Sequence, residues 1–247
     1  MKGRKSMMEK RVNKESGNVL FLILIAVALF AALSYAVTSS TNSGGGNADE
    51  ESSLVNSAAI AQYPASIKTA IVRMTAMKGV SNTGVGTSDT GLLFNKPDDF
   101  GSITPGQEYR AVFHPAGGNA AYYDATQGIT AGASGAWIFT RAFEIANVGS
   151  STAGDLAGNE IIAFLPNVTK GICDKINEQS SIAGTDIVHD AGVTITDNLL
   201  VEGATEADAG IIGGTATTAP DIAGKYNGCF RNGAAGPYVY YHVLLAQ

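Results

Sequence analysis

Hydrophobic and polar positions divide this chain into stretches of different period. The first is a continuous apolar run from Val19 to Val37, 19 residues without a charge, interrupted only by Ser34 and Tyr35. A helix of that length spans roughly 28 Å, close to the hydrocarbon thickness of a bilayer. Further on, Leu54, Ala58, Ala61, Ile67, Ile71, Met74 and Met77 recur at spacings of 3, 4 or 6. That pattern predicts one buried stripe of a helix, packed on the chain's own globular part. Between these two stretches lies TSSTNSGGGN, Thr38 to Asn47, polar and rich in Gly and Ser. Glycine disfavours helix by about 1 kcal/mol per residue, so Gly44 to Gly46 predict a break. A fresh start is expected at Asn47, with Asn47 as cap and Glu50 at the capping-box position. Pro64 should kink or restart the second helix.

From Val80 onward the pattern changes to short apolar alternations separated by glycines and turn residues. Leu92 to Phe94 and Tyr109 to Phe113 are short strand candidates. In Ala136 to Ala146, Trp137, Phe139, Phe143 and Ile145 share one parity, with Thr140 and Glu144 on the other. This is the strongest strand signal, and Arg141, which breaks it, should lie near an edge or be paired. Leu165-Pro166-Asn167 then predicts the start of a short helix carrying Val168, Ile172 and Ile176. Thr194 to Val201 and Ile211 to Ile212 are weaker strand signals. Tyr238 to Leu245 is a β-branched and aromatic run suited to a final strand. The expected class is α+β: a long N-terminal hydrophobic helix, broken by a Gly/Ser linker, followed by a Gly-rich, mainly antiparallel β domain. The expected organisation is a basic leader at 1–17, a membrane helix at 18–37, a linker and helix start at 38–53, and a globular domain at 54–247.

Charge sharpens the reading of the first segment. Residues 1–17 hold six basic side chains and two acidic ones, a net of +4, which leaves −10 on the other 230 residues of a chain whose total is −6. Basic residues before an apolar span place the N-terminus in the cytoplasm and the acidic remainder outside. An acidic chain, with pI near 5.0, lacks the basic patch of a nucleic-acid binder. Two readings fit the apolar run on its own residues: a secretory signal peptide cut after Ala36, where Ser34-Tyr35-Ala36 has the small-x-small pattern, and an uncleaved anchor; a third starts from the resemblance at Gly17 described below. The two cysteines, Cys173 and Cys229, are 56 residues apart. They can bridge if the domain is exported to an oxidising compartment; otherwise they are two buried thiols.

Gly17, lying between the basic leader and the apolar helix, resembles the cleavage site of type IV prepilins and pseudopilins. The resemblance extends to GNVLFLILIAVALFAALSYAV at 17–37, VFHPAGG at 112–118, LPNVTKGICDKIN at 165–177, CF at 229–230 and YVYYHVLLAQ at 238–247, which look like fragments of a pilin-like branch seen in alphaproteobacteria. Together they cover about a quarter of the chain. The resemblance implies cleavage after Gly17 by a prepilin peptidase, methylation of Asn18, anchoring in the bacterial inner membrane and packing of the helix against other pilin-like subunits in a pilus or secretion-associated filament. The family's usual glutamate at the fifth mature position is Leu22 here, and its usual aromatic or Met first residue is Asn18. The missing glutamate speaks against a major, self-assembling subunit and is compatible with a minor or pseudopilin-like subunit, or with a separate branch of the family. The alternative class is a non-polymerising, membrane-anchored binding domain or enzyme.

Chemistry-bearing motifs are sparse. His114, His189 and His242 lie far apart and form no HxxxH or HExxH spacing. His189 with Asp190 and Asp186 reads as a solvated loop. Gly132-Ala133-Ser134-Gly135 misplaces the second glycine of a nucleophile elbow. Gly84-Val85-Gly86 and Gly210 to Gly214 lack the Lys-Ser/Thr ending of a phosphate loop, and Asp197, Glu202, Glu206 and Asp208 lack EF-hand spacing. Asn167-Val168-Thr169 matches a glycosylation sequon. Tyr238 and Tyr240 share a strand face and read as core. No catalytic residue, metal site, cofactor or nucleic-acid partner is expected.

Overall fold

The computed structural model describes residues 16–82, 91–126, 128–132, 135–149, 160–183, 187–189, 193–195, 200–202, 209–214 and 220–246. The chain forms two compact units, Met1–Glu50 and Glu51–Gln247. The first helix, α1, runs Ser16–Lys78. Its backbone is helical through Gly44 to Gly46 and through Pro64, so neither the expected break nor the restart occurs. Glycine's penalty is a bias of about 1 kcal/mol per residue, not a steric bar, and glycine keeps both its N–H and its C=O for the ladder. Proline removes one ladder bond and costs more, yet Pro64 is buried where α1 packs on the globular unit.

In the first unit, the apolar window Leu20–Ser39 has a mean hydropathy of 2.7 and is not buried in the chain. Leu20, Phe30 and Leu33 are each about two-thirds exposed or more. Thr38 returns its hydroxyl to the Ser34 carbonyl at 2.8 Å, a bond within the helix that hides a polar group from an apolar surrounding.

In the second unit, α1 buries Ile60, Tyr63, Ile67, Ala70, Ile71 and Met74. The stripe is shifted from the expected one: Leu54, Ala58 and Met77 are exposed, while Ser57, Ile60 and Tyr63 take the inner face. Arg73 and Lys78 donate to the carbonyls of Gly118, Ala116 and Gly117, tying the end of α1 to the 111–120 loop.

The main sheet has five strands in the order β1-β3-β7-β6-β4. They are β1 Ile138–Thr140, β3 Ile161–Val168, β4 Val188–His189, β6 Asn227–Asn232 and β7 Tyr238–Leu245. All pairings are antiparallel except the short β4–β6 contact. A second, two-stranded parallel sheet joins β2 Phe143–Ile145 to β5 Gly210–Ile212. The α+β, mainly antiparallel class is therefore what the fold shows.

Both faces of the main sheet are dry. Along β7, Tyr240 and Leu244 enter the core under α1 and the short helix α2, Lys170–Gln179. Val239, Tyr241 and Val243 enter a second core with Phe143, Ile145, Ile212 and Ile222. β3 alternates likewise, with Ile161, Ala163 and Leu165 on one side and Ile162 and Phe164 on the other. Successive strand residues point to opposite faces, so a strand buried on both sides reads as a continuous apolar run.

Several sequence expectations need correction here. Ala136 to Ala146 is not one strand. It turns at Arg141–Ala142, where Thr140 Oγ1 accepts the Ala142 N–H at 3.0 Å. Trp137 and Phe139 thus face one core and Phe143 and Ile145 the other. Arg141 is buried at this turn and is engaged with a partner, in line with the second of its two expected settings. Leu165-Pro166-Asn167 ends β3 instead of opening a helix. Asn167 adopts a positive φ of 62°, and the β3–β7 register slips between Pro166 and Val168, the bulge geometry in which a strand tolerates proline. Thr169 is the residue before α2, so Val168 belongs to the strand. Tyr109 to Phe113 forms a 3-10 turn over Glu108–Arg110 and one bridge at Ala111, not a strand. Leu92 to Phe94 likewise makes only the Leu93–Ala111 bridge. The segment after Ala111 bonds to itself, with the Gly118 N–H on the Ala111 carbonyl and the Ala120 N–H on the Val112 carbonyl. A Cβ on Gly117 would sit 1.9 Å from the Ala111 carbonyl oxygen, so only glycine closes this loop. Half of Thr194 to Val201, residues 196–199, lies outside the described residues, and the other half is not strand.

Cys173 of α2 and Cys229 of β6 form a disulfide, with Cα atoms 5.4 Å apart. Beside it the buried Asn177 side chain donates to the Cys229 carbonyl at 2.9 Å and accepts the Cys229 N–H at 2.8 Å. Replacing Asn177 with leucine leaves both backbone groups buried and unpaired, and should cost about 2–5 kcal/mol. Removing the disulfide should cost about 4 kcal/mol on loop-closure grounds for a separation of 56 residues. Urea unfolding midpoints of the two variants check both; an unchanged midpoint for Asn177→Leu contradicts the clamp.

Candidate functional site

Two features stand apart from ordinary core packing: the apolar helix and an aromatic cleft. The helix is positioned by sequence alone. Leu20–Ser39 carries no charge, is not buried in the chain, and is long enough to cross a membrane. Gly17 and Asn18, the expected processing pair, lie in the first turn of α1. Residues 1–15 of the leader are outside the described residues.

The cleft lies wholly in the second unit. Ile60 and Tyr63 of α1 form one wall, the loop residues Tyr123, Asp124, Ala125 and Thr126 another, and Ile129 and Trp137 complete a space of about 200 Å³. Tyr63 reaches it because its neighbours at Ile60 and Ile67 hold that face of α1 on the sheet. Its ring centroid is 4.3 Å from that of Tyr123 and 5.0 Å from that of Trp137. Tyr63 and Trp137 are almost fully buried, whereas Tyr123 is 51% exposed. The Tyr63 hydroxyl and Trp137 Nε1 are buried and neither donates to an acceptor among the described residues, although the Tyr123 backbone N–H lies against the Tyr63 oxygen. Burial pushes the Tyr63 phenol well above its ordinary range, so it remains a protonated donor. Sequence reading placed Trp137 in the core but did not find this cleft. The one local signal was the Tyr122-Tyr123-Asp124 run in a loop.

The other expected candidates are not brought together. The His114 Nδ1 accepts the Ala116 N–H at 3.1 Å, and its ring meets Phe100 edge-on, a loop-stabilising role. His189 lies on β4, and Asp186 and Asp190 are outside the described residues. His242 is on β7, as its run suggested, with Nδ1 3.0 Å from the Tyr240 hydroxyl. Burial, and secondarily the Lys68 ammonium, bring its pKa down to about 4. Glu202 is engaged: it accepts the Thr104 N–H at 2.7 Å and faces Arg110 at 3.9 Å. Asp197, Glu206 and Asp208 are outside the described residues, as are Gly84 to Gly86 and Ala133–Ser134. Gly210 belongs to β5, and Gly213 is at a positive φ of 89° just beyond it. Among the described residues, no group of three or more His, Cys, Asp or Glu side chains could hold a metal ion.

One pair of carboxyls was not anticipated. Glu160 precedes β3, is fully buried, and accepts the Ile145 N–H on Oε2 at 3.1 Å. Its Oε1 and the Oε2 of Glu144 on β2 are buried without partners among the described residues. Desolvation pushes the Glu160 pKa up to about 7, and the Glu144 charge adds to this. Neither lines the cleft.

Comparison of the chain with family profiles, characterised proteins and solved structures finds no match.

The two shifted groups act on stability with opposite signs. Glu160 is raised from 4.5 to about 7, so its contribution is present below pH 4.5 and is lost as pH rises toward 7. His242 is lowered from 6.5 to about 4, so its contribution is present above pH 6.5 and is lost as pH falls toward 4. In the natural chain the two slopes offset each other between these limits. Glu160→Gln should unmask a stability that rises from pH 4 to 6.5, and His242→Gln one that falls from pH 4.5 to 7, each by on the order of 2 kcal/mol. Urea midpoints measured across that range test the pair; parallel profiles for the two variants contradict it.

Proposed function

We propose that this chain is a type IV pilin-like or pseudopilin-like structural subunit, anchored in the bacterial inner membrane and assembled through α1 into a pilus or secretion-associated filament. The reading rests on one observation: an uncharged helix segment, Leu20–Ser39, that finds no burial in its own chain and follows directly on a basic leader and Gly17. In this reading a prepilin peptidase cuts between Gly17 and Asn18. The N-terminus begins in the cytoplasm and the domain from Glu51 onward stands outside, where the Cys173–Cys229 bridge is at home.

In water, the exposed apolar side chains of that segment represent on the order of 10–20 kcal/mol of unmet burial. Lipid meets this while the subunit is anchored. When it leaves the bilayer, equivalent helices of neighbouring subunits take lipid's place. Leu22 stands where the family's assembly glutamate would be, which favours a minor or pseudopilin-like position over that of a self-assembling major subunit. The work of such a subunit is structural, and no catalytic step is assigned to it.

The aromatic cleft favours a second reading, a membrane-anchored extracytoplasmic binding domain that never polymerises. Processing separates the two. Mass spectrometry of the natural mature protein should find Asn18, N-methylated, as the first residue. A chain starting at Met1 or Val37 overturns the pilin-like reading. Replacing Gly17 with a bulky residue such as leucine should abolish this maturation; processing at the normal level contradicts the proposal.

A further inference from the structure

The cleft beside Tyr63 has a composition that packing alone does not explain. Beneath its surface lie two donors, the Tyr63 O–H and the Trp137 Nε1–H, closed off from solvent and without an acceptor among the described residues. A buried donor left unmade costs about 1–3 kcal/mol, and such a group in a native fold calls for a cause. The space beside them, about 200 Å³, is smaller than the ~300–1,000 Å³ of sites for drug-sized ligands. It suits a single ring. The walls are aromatic, while the mouth is polar, with Asp124 and Thr126 both exposed.

These features define the occupant. It must present C–H faces to aromatic rings, acceptor oxygens to two neutral donors, and donors to a carboxylate. A hydroxyl group both accepts and donates, so a polyhydroxylated ring meets all three demands. Asp124 already accepts the Tyr122 O–H at 3.0 Å, which holds its carboxylate at the mouth. The carboxylate at the mouth and the absence of a cation among the described lining residues disfavour an anionic ring. A peptide strand would need an extended groove with a row of main-chain partners, and this space is compact.

We propose that the cleft binds one neutral pyranose residue of a glycan. The sugar lies against the Tyr123 ring, its hydroxyl oxygens accept from Tyr63 and Trp137, and a hydroxyl donates to Asp124. The two donors are closed off in the empty cleft, so a sugar hydroxyl reaches them only by displacing Tyr123, which is half exposed and tilted against Tyr63 with ring centroids 4.3 Å apart. The site is built entirely from the second unit, so it stands whether or not the chain forms a filament.

Trp137 is the single tryptophan of the chain, and its emission therefore reports on the cleft directly. The full chain, purified in a detergent without a sugar head group, is titrated with methyl glucopyranoside, methyl galactopyranoside and methyl N-acetylglucosaminide. At least one should give a saturable change in emission. Tyr63→Phe keeps the ring and removes the donor; it should weaken binding about 3- to 10-fold while the unfolding midpoint stays level or rises. Tyr123→Ala, with unchanged far-ultraviolet dichroism, should abolish the response. No saturable change with any of the three sugars overturns the proposal. So does full affinity in Tyr63→Phe, or a response to a proline-rich peptide in place of the sugars.

Discussion

The globular unit depends on how one strand of poor strand character is held in place. β6 reads NGCFRN, a sequence of turn residues around a cysteine. It nevertheless lies next to the central strand, with Cys229 and Phe230 fully buried. The Asn177 side chain supplies it with a surrogate neighbour. One amide group offers an acceptor and a donor at the spacing of a backbone unit, and Cys229 uses both. β4 pairs with β6 only at Arg231 and Asn232, so without Asn177 the Cys229 backbone would be buried with nothing to bond. The disulfide fixes α2 at the same point, and the amide and the covalent link reinforce each other. Gly228 completes the arrangement: a Cβ there would meet Ile182 Cδ1 at 2.5 Å and the Tyr241 ring at 3.0 Å.

That clamp allows the sheet to be covered on both sides. α1 and α2 close one face, and the small β2–β5 sheet with Ile182, Ile187 and Ile222 closes the other. The turn at Arg141–Ala142 is what lets a single stretch of chain serve both cores. The aromatic cleft opens where α1, the 123–129 loop and the start of β1 converge without filling the space between them.

The parts legible in the sequence are those where a single periodicity decides the outcome. The apolar run stands out because a bilayer demands a fixed length. β7 stands out because burial on both faces removes every alternation. The inner face of α2 shows in Ile172 and Ile176. What was not legible depends on partners distant in the chain. β3 was hidden by Pro166 and Asn167, which are tolerated only because the register slips there against β7. β6 was hidden because its strand state rests on Asn177, 52 residues away. The parity of Trp137, Phe139, Phe143 and Ile145 suggested one face, and only a turn made by a threonine hydroxyl sends them to two. Gly44 to Gly46 misled in the other direction, since propensity is a small term that the rest of a long helix outweighs. The cleft could not be seen at all, because Tyr63, Tyr123 and Trp137 share no spacing, only a place.

The strand order carries a consequence for how the molecule comes into being. β7 is the middle member of β1-β3-β7-β6-β4, yet it is the last strand along the chain. β3 has β1 and β6 has β4 beforehand, but neither gains its central neighbour until Tyr238–Leu245 has been made. The two halves of the sheet thus stay separate until the last strand inserts between them, with Cys173 and Cys229 on opposite sides of that wait. Late closure is in that sense written into the topology.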